Sequence, residues 1–284
     1  MFQSPPSGVH QSRIWWCPTG PLVFLPIHAA GIYGKDRTLG SCASDFVISS
    51  YTPTISVLIS KFKDVPIEIQ APTRLLLISQ PNTRNLSAIP ATREETHKVR
   101  DTMENAGIHT LLLEDDTATI SRVMDEMKAY GWVHFACHAI QDAEDSLKSG
   151  IHLDDGRLEL LEIMKLRMED TNHAFLSACQ TGAGDEKLSD EVVHLAAGML
   201  AAGYRSVVAT MWSIKDRHGP EVAMDFYAQL LDGSSHVDSP IGKKCLNSAD
   251  AASALDHAVR QLRNKIGDKE DALLMWVPYV HYGV

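Results

Sequence analysis

The feature that most constrains the fold of this chain is a repeated alternation of short apolar runs with amphipathic helical segments. Several of these runs are continuous, as expected for strands that are buried on both faces of a parallel sheet. Strand and helix repeated in this way predict an α/β fold, a mostly parallel sheet with helices on both faces. The predicted strands are 74–79, 110–113, 132–137, 174–178 and 205–211, and the helices between them are 93–105, 117–129 and 190–202.

The two ends of the chain are less regular. After the last predicted strand, the apolar spacing predicts helices over 220–231 and 249–265. The first 70 residues favour a small hairpin, with strands 15–17 and 22–25 around Pro18-Thr19-Gly20, and a short helix over 54–62.

Composition and charge exclude some classes of function. The chain has 284 residues, enough for a sizeable core, with 44% hydrophobic and 22% charged residues, as in ordinary globular proteins. The 26 basic and 36 acidic residues give a net charge of 26 − 36 = −10, and no long Lys/Arg stripe is present. Because phosphate neutralisation needs clustered cations, we expect no nucleic-acid partner.

The cysteines and the N-terminus bear on the cellular compartment. Five scattered cysteines without a CxxC pair indicate neither a disulfide framework nor a zinc ribbon. The Pro/Ser-rich start lacks the pattern of a signal peptide, and no apolar run reaches the roughly 18 residues of a membrane span. We therefore expect a reduced, cytoplasmic protein without a membrane partner.

Two residues that carry reactive side chains follow predicted strands. His138 ends the run Trp-Val-His-Phe-Ala-Cys-His, and Cys179 ends the run Ala-Phe-Leu-Ser-Ala-Cys. Open α/β sheets bind ligands outside the carboxyl ends of their strands. The separation of 179 − 138 = 41 residues leaves room for a crossover, with a helix near 158–166, that brings both residues to one edge.

The residue types then indicate acyl transfer. A thiol with a pKa near 8.5 is only a few per cent thiolate at neutral pH. A neighbouring imidazole can take its proton and later protonate a leaving amine. Oxyanion donors would be the backbone N–H groups of Cys179 and Ala139. Taken singly, each residue has a structural interpretation, since a lone Cys after a strand is usually a small buried hydrophobic residue.

Two other motifs have weaker support. His134, Cys137 and His138 suggest a metal site, but residues 134 and 137 of a strand point to opposite faces, so we expect no metal. The Gly-rich segment 181–185 is followed by no Gly-Lys-Ser/Thr, which argues against a phosphate-binding loop. We interpret it as a loop that shapes the substrate cleft.

At these motifs the chain resembles the CHAT domain family, caspase-like domains related to separases and often attached to tetratricopeptide repeats. The resemblance covers nearly the whole chain. It is carried by Val133-His134-Phe135-Ala136-Cys137-His138, by Leu176-Ser177-Ala178-Cys179-Gln180-Thr181-Gly182, and by the segments 25–31, 49–53, 190–191, 195–197, 201–203 and 206–216.

The resemblance implies a caspase-like three-layer sandwich without a metal or organic cofactor. Residues 1–70 would be the N-terminal part of the CHAT domain and residues 71–284 the catalytic core, within one structural domain. His138 aligns with the family's catalytic histidine and Cys179 with its nucleophile. The implied function is a cysteine endopeptidase acting on a protein or peptide, a signalling or cell-death effector regulated by an activating protein or a tetratricopeptide-repeat partner.

The resemblance also implies a substrate pocket. Ser177, Trp212 and Asp216 occupy positions that line the pocket for the residue before the cut in caspase-like folds. An Asp there would suit a basic substrate side chain. The alternative interpretation is that Asp216 caps the helix that follows.

One departure from the family pattern keeps other functions open. Ala139 stands where these proteins usually have Gly after the catalytic His, and Ala cannot adopt every backbone angle open to Gly. The main alternative is therefore a catalytically inactive, caspase-like scaffold or adaptor module. A third hypothesis is an acyltransferase or non-peptide hydrolase that uses the same thiol.

Overall fold

The computed structural model describes residues 11–38, 40–63, 72–140, 142, 145–168, 170–180, 192–214, 216–234 and 245–284. At residues 146, 178–180, 192–194 and 216 the description is confined to the backbone. The Gly-rich segment 181–185 and residues 190–191 of the family motif lie outside the described residues.

The described strands form one sheet. On its main path the order is β1-β2-β10-β9-β8-β5-β3-β4, and a hairpin of β6 and β7 extends from β5. The neighbouring strands β4, β3, β5, β8 and β9 are all parallel. The strands are β1 Ser12–Trp16, β2 Val47–Tyr51, β3 Arg74–Ser79, β4 His109–Glu114, β5 Trp132–Ile140, β6 Gly150–Leu153, β7 Gly156–Glu159, β8 His173–Gln180, β9 Ser206–Thr210 and β10 Tyr279–Gly283.

Helices cover the sheet on both faces, which confirms the predicted three-layer α/β fold. The α-helices in the described residues are α1 Ile55–Lys63, α2 Ala91–Asn105, α3 Ile120–Met127, α4 Leu160–Lys165, α5 Val192–Ala202, α6 Gly219–Gly233, α7 Ala251–Ile266 and α8 Glu270–Trp276. The predicted helices occupy these places, with ends that differ by a few residues.

The two faces of the sheet carry separate cores. One core packs α3, α4 and α5 against residues such as Leu76 and Phe135. The other packs α2, α6 and α7 against residues such as Leu77 and Phe175. Leu75 to Ile78 are all 0% exposed, because successive residues of the strand fill alternate cores. This double burial explains why the central strands are continuous apolar runs.

The hairpin predicted in the N-terminal part is wrong. Its first strand is part of β1, which pairs in parallel with β2, about thirty residues later in the chain. Its second strand is a 3-10 turn over Gly20–Phe24 with Pro at its start. A local pattern of apolar residues identifies a strand but does not identify its partner, and here that partner lies beyond the tight turn. The helix predicted over 54–62 is present as α1.

Five strands and helices were not predicted, namely β2, β6, β7, α8 and β10, and all bear on the architecture. The hairpin of β6 and β7 belongs to the crossover between β5 and β8, before α4. The last residues form α8 and then β10, which lies between β9 and β2 and is antiparallel to β9. The division into residues 1–70 and 71–284 stays a prediction.

Candidate active site

His138 and Cys179 lie next to each other on neighbouring strands. In the parallel pair β5–β8, their Cα atoms are register partners, and the following pair is Ala139 with Gln180. Both residues lie near the carboxyl end of their strands. Each is still part of its strand, and does not follow it as the sequence predicted. Register partners belong to the same face of a sheet. The crossover therefore brings the two residues to one edge, through a helix, α4, where the sequence indicated one.

Among the described residues, one hydrogen bond holds the imidazole of His138. The ring is 1% exposed, and its Nε2 lies 2.8 Å from the backbone carbonyl oxygen of Ser87. A carbonyl only accepts, so in the neutral ring the proton is on Nε2. Among the described residues, Nδ1 has no hydrogen-bond partner although it is buried. Nδ1 is therefore the nitrogen that can accept a proton.

Ser87 belongs to the loop between β3 and α2, which is folded by its own hydrogen bonds. The N–H of Leu86 donates to the Thr83 carbonyl at 3.1 Å, and the N–H of Ile89 donates to the Pro81 carbonyl at 2.9 Å. Asn85 takes the left-handed conformation at φ 65°, which Asn tolerates better than most residues. These contacts place the Ser87 carbonyl over the end of β5. Sequence analysis missed Ser87, because any residue supplies a carbonyl.

A buried polar network lies on the same strand as His138. His134 is 0% exposed, with Nε2 2.9 Å from a carboxylate oxygen of Glu95 and Nδ1 3.2 Å from the Tyr227 hydroxyl. Burial, and then the nearby Glu95, raise the pKa of Tyr227 well above its usual range, so Tyr227 stays a phenol and donates to Nδ1. His134 thus donates to Glu95 through Nε2–H, which fixes its tautomer. Its ring also stacks on Phe175.

This network excludes His134 from the metal interpretation, as does the position of Cys137 in the core on the opposite face. Within the described parts of the chain, no three His, Cys, Asp or Glu residues are grouped as metal ligands. Among the same residues, no helix is both long and apolar enough to cross a membrane.

The predicted pocket residues lie in different surroundings. Ser177 is 3% exposed, two residues before Cys179 on β8. A Cβ at Gly219, the first residue of α6, would lie 2.5 Å from Oε2 of Glu95 and 3.4 Å from Oγ of Ser177. The start of α6 therefore approaches β8 and α2 closely, and a Cβ at this position would require the Glu95 carboxylate to move.

Trp212 and Asp216 follow β9. The indole N–H of Trp212 donates to the Leu274 carbonyl at 3.1 Å, which turns this half-buried ring toward α8. Asp216 begins a 3-10 turn, Asp216–His218, and its side chain lies outside the description. The N-cap residue of α6 is His218, so the alternative interpretation of Asp216 as that N-cap is wrong. The pocket role of Ser177, Trp212 and Asp216 stays a prediction.

Ala139 does not strain the backbone. It is a strand residue between Gln180 of β8 and Ile151 of β6, and it is not among the residues with positive φ. Its extended conformation is open to any L-residue, so the usual Gly is not required here on backbone grounds. Its oxyanion role stays a prediction.

A second histidine, which sequence analysis missed, lies close to His138. His152 follows Ile151 on β6, and its Nε2 is buried without a hydrogen-bond partner among the described residues. Burial lowers the pKa of His152, and the charge of His138 lowers it further. The sequence holds no signal for this neighbour, because the hairpin that carries it was not predicted.

Comparisons with known proteins agree with this architecture. The family model described as CHAT domain matches residues 3–284. A complex of the pro- and mature domains of RgpB from Porphyromonas gingivalis has a TM-score of 0.57 at 11% identity, covering 84% of this chain and 55% of that chain. The Arg-specific cysteine proteinase gingipain R has a TM-score of 0.55 at 12% identity, covering 83% and 53%.

A third similar structure is the separase–securin complex of Saccharomyces cerevisiae. Its TM-score is 0.50 at 11% identity, covering 86% of this chain and 14% of that chain. The chain thus spans little more than half of the gingipain chains and a small part of the separase chain. At these identities the likeness is one of fold. No curated protein matches the sequence.

Proposed function

Because the chain belongs to the CHAT domain family, we propose that it is a cysteine endopeptidase in which Cys179 is the nucleophile and His138 the general base and acid. The observation that carries the proposal is the register pairing of the two residues, together with an Nδ1 on His138 that has no partner among the described residues. Gingipain R, which has a similar fold, is a cysteine proteinase.

The reaction would proceed through a thioester. Nδ1 of His138 takes the thiol proton of Cys179, and the thiolate attacks the carbonyl carbon of the peptide bond. The N–H groups of Cys179 and Ala139 stabilise the oxyanion. The C–N bond breaks as the imidazolium returns its proton to the leaving amine. Water, deprotonated by Nδ1, then hydrolyses the thioester, which releases the carboxylate product and the free thiol.

The Ser87 carbonyl would have a definite part in this cycle. It accepts from Nε2–H in both protonation states of the ring, so the imidazole does not turn when Nδ1 gains a proton. A ring fixed in this way is pre-organised for both proton transfers, and little reorganisation is needed during the reaction.

For the substrate we propose a protein or peptide with a basic side chain before the cleaved bond. Asp216 would supply the negative charge, with Ser177 and Trp212 at the same pocket, and the specificity of gingipain R for Arg supports this choice. We also propose cytoplasmic signalling under the control of a protein partner, with a partner-bound separase as the precedent.

The alkylation rate of each cysteine tests the dyad without knowledge of the substrate. We expect iodoacetamide to modify Cys179 about tenfold faster than the exposed Cys17 below pH 7, as read by mass spectrometry. The advantage should vanish in His138→Ala, because the thiol then returns to its ordinary pKa. Cys17 serves as the reference within each sample.

Two results would contradict the proposal. One is a Cys179 rate that does not exceed that of Cys17 at any pH. The other is peptide turnover that persists in Cys179→Ala. Tight partner binding that is indifferent to both substitutions would instead identify a scaffold module.

A further inference from the structure

An open groove lies between the β3–α2 loop, which holds the His138 ring, and the β6–β7 turn. Its volume is about 600 Å³, within the range of pockets that bind small ligands. Its lining residues are Asn82, Thr83, Arg84, Leu86 and Ala88 of the β3–α2 loop and Asp154 of the β6–β7 turn. Leu86 and Ala88 flank Ser87, whose carbonyl oxygen lies 2.8 Å from Nε2 of His138, so one wall of the groove belongs to the loop that holds the imidazole.

The topology determines on which side of His138 the groove lies. β5 has β8, with Cys179, on one side and β3 on the other. The β3–α2 loop continues from β3, and β6 pairs with β5 at Ala139, past the last partner of β3, Ala136. Both walls of the groove are therefore on the side of His138 that faces away from the strand of Cys179.

The groove presents polar groups without partners in the part of the chain that is described. Thr83 is 9% exposed, and its buried hydroxyl has no hydrogen-bond partner there. Arg84 and Asp154 are exposed and form none of the ion pairs found among the described residues. A buried hydroxyl without a partner costs free energy that a bound ligand can recover.

We propose that this groove binds the substrate segment that follows the cleaved bond, and that Arg84 selects an acidic side chain there. This inference rests on the proposed function. The acyl half of the substrate stays on Cys179, whereas the leaving amine receives its proton from His138 and so departs on the His138 side. Arg84 offers planar donors that match a carboxylate. The Asp154 carboxylate and the Thr83 hydroxyl can accept from the peptide's amide N–H groups.

A library of acetylated random dodecapeptides tests the groove through cleavage sites. For the wild-type chain, mass spectrometry should show Asp and Glu enriched within three positions after the cleaved bond. In Arg84→Glu we expect Lys and Arg there instead, with unchanged residues before the bond. Arg122→Glu makes the same charge change on an exposed residue of α3 and should keep the wild-type preference.

The same library tests binding without catalysis. The Cys179→Ala chain should retain acidic peptides, and the added Arg84→Glu change should reduce that retention about tenfold, the loss expected for one charged hydrogen-bond pair. Arg84-dependent retention with no cleavage by the wild type would support the groove and overturn the peptidase function. Cleavage that depends on Cys179, with preferences and retention indifferent to Arg84, would overturn the groove alone.

Discussion

The chemistry of His138 depends on one carbonyl group. A nearly fully buried imidazole with Nε2 on the Ser87 oxygen has a fixed tautomer and a fixed orientation. Its Nδ1, which has no hydrogen-bond partner within the described part of the chain, is on the ring that adjoins the position of Cys179 in the register of β5 and β8. Neither fact depends on the side chain of residue 87, so substitutions of Ser87 that keep the loop fold should leave the base intact.

At the same scale, we predict that the pKa of His152 rises when His138 is replaced by Gln. Burial keeps the pKa of His152 below its usual value, and the charge of His138 adds to that effect, so only the second cause disappears. NMR titration of labelled histidine rings measures the change. His257→Gln, on the exposed surface of α7, is the matched control and should leave His152 unchanged. An unchanged His152 pKa in His138→Gln would show that the two rings do not interact.

At the scale of elements, a hydrogen-bonded network of polar side chains, buried except at Arg13, runs across several strands of the sheet. Nη2 of Arg13 on β1 lies 3.3 Å from Nδ1 of His281 on β10, whose Nε2 is 2.8 Å from Oγ of Ser206 on β9. Oγ of Ser206 is also 2.8 Å from Nδ1 of His173 on β8. Arg13 can only donate, so His281 accepts at Nδ1 and donates from Nε2, and the Ser206 hydroxyl donates to His173. This hydrogen-bonded network thus requires the rings of His281 and His173 to be neutral.

The stability of the fold should therefore fall in mild acid. Burial lowers the pKa of His173 to about 3 and of His28 to about 4, and it holds that of His281 well below its usual value. These rings charge near pH 6.5 in the unfolded chain but stay neutral in the folded one. The neutral rings cost the folded state nothing above pH 6.5. Below that pH, each ring lowers the free energy of unfolding by about 1.4 kcal/mol per pH unit, down to its pKa in the folded chain.

Urea unfolding between pH 8 and pH 5 measures this loss. The free energy of unfolding should be nearly constant down to pH 7 and then decrease. His281→Asn should reduce the slope below pH 6.5, whereas His257→Asn, on the exposed surface, should keep the wild-type slope. A wild-type slope in His281→Asn would mean that the ring charges without cost in the folded chain.

For the molecule as a whole, β10 joins the N-terminal strands to the rest of the sheet. It lies between β9 and β2, although it comes last in the chain. Gly283 at its end has φ 93°, and a Cβ there would lie 2.2 Å from the Arg205 carbonyl. The backbones at this junction are too close for any other residue.

We predict that Gly283→Ala lowers the free energy of unfolding by several kcal/mol, since the junction must move to admit the methyl group. Gly107→Ala is the matched control, because Gly107 has φ 82° with open space around it. It should cost only about 1 kcal/mol, the strain of the backbone angle alone. Urea unfolding of both variants measures the difference, and equal losses would show that β10 tolerates displacement.

The sequence by itself determined the parallel core of this protein. Strands such as β3 and β8 are buried on both faces, so their apolar runs identify them without knowledge of their partners. The positions of His138 and Cys179 at the carboxyl ends of two such strands followed from the same pattern, as did the helices between them.

Only the tertiary structure decided what surrounds those two residues. The Ser87 carbonyl, His152 and the groove at Arg84 come from a loop and a hairpin that carry no periodic signal. The pairing of β1 with β2, and of β10 with both β9 and β2, also joins segments far apart in the chain. The pattern of apolar residues in a segment reflects the burial of that segment, so the segment's own sequence shows it. The partner of a strand depends on contacts between distant segments, so the sequence of one segment does not identify it.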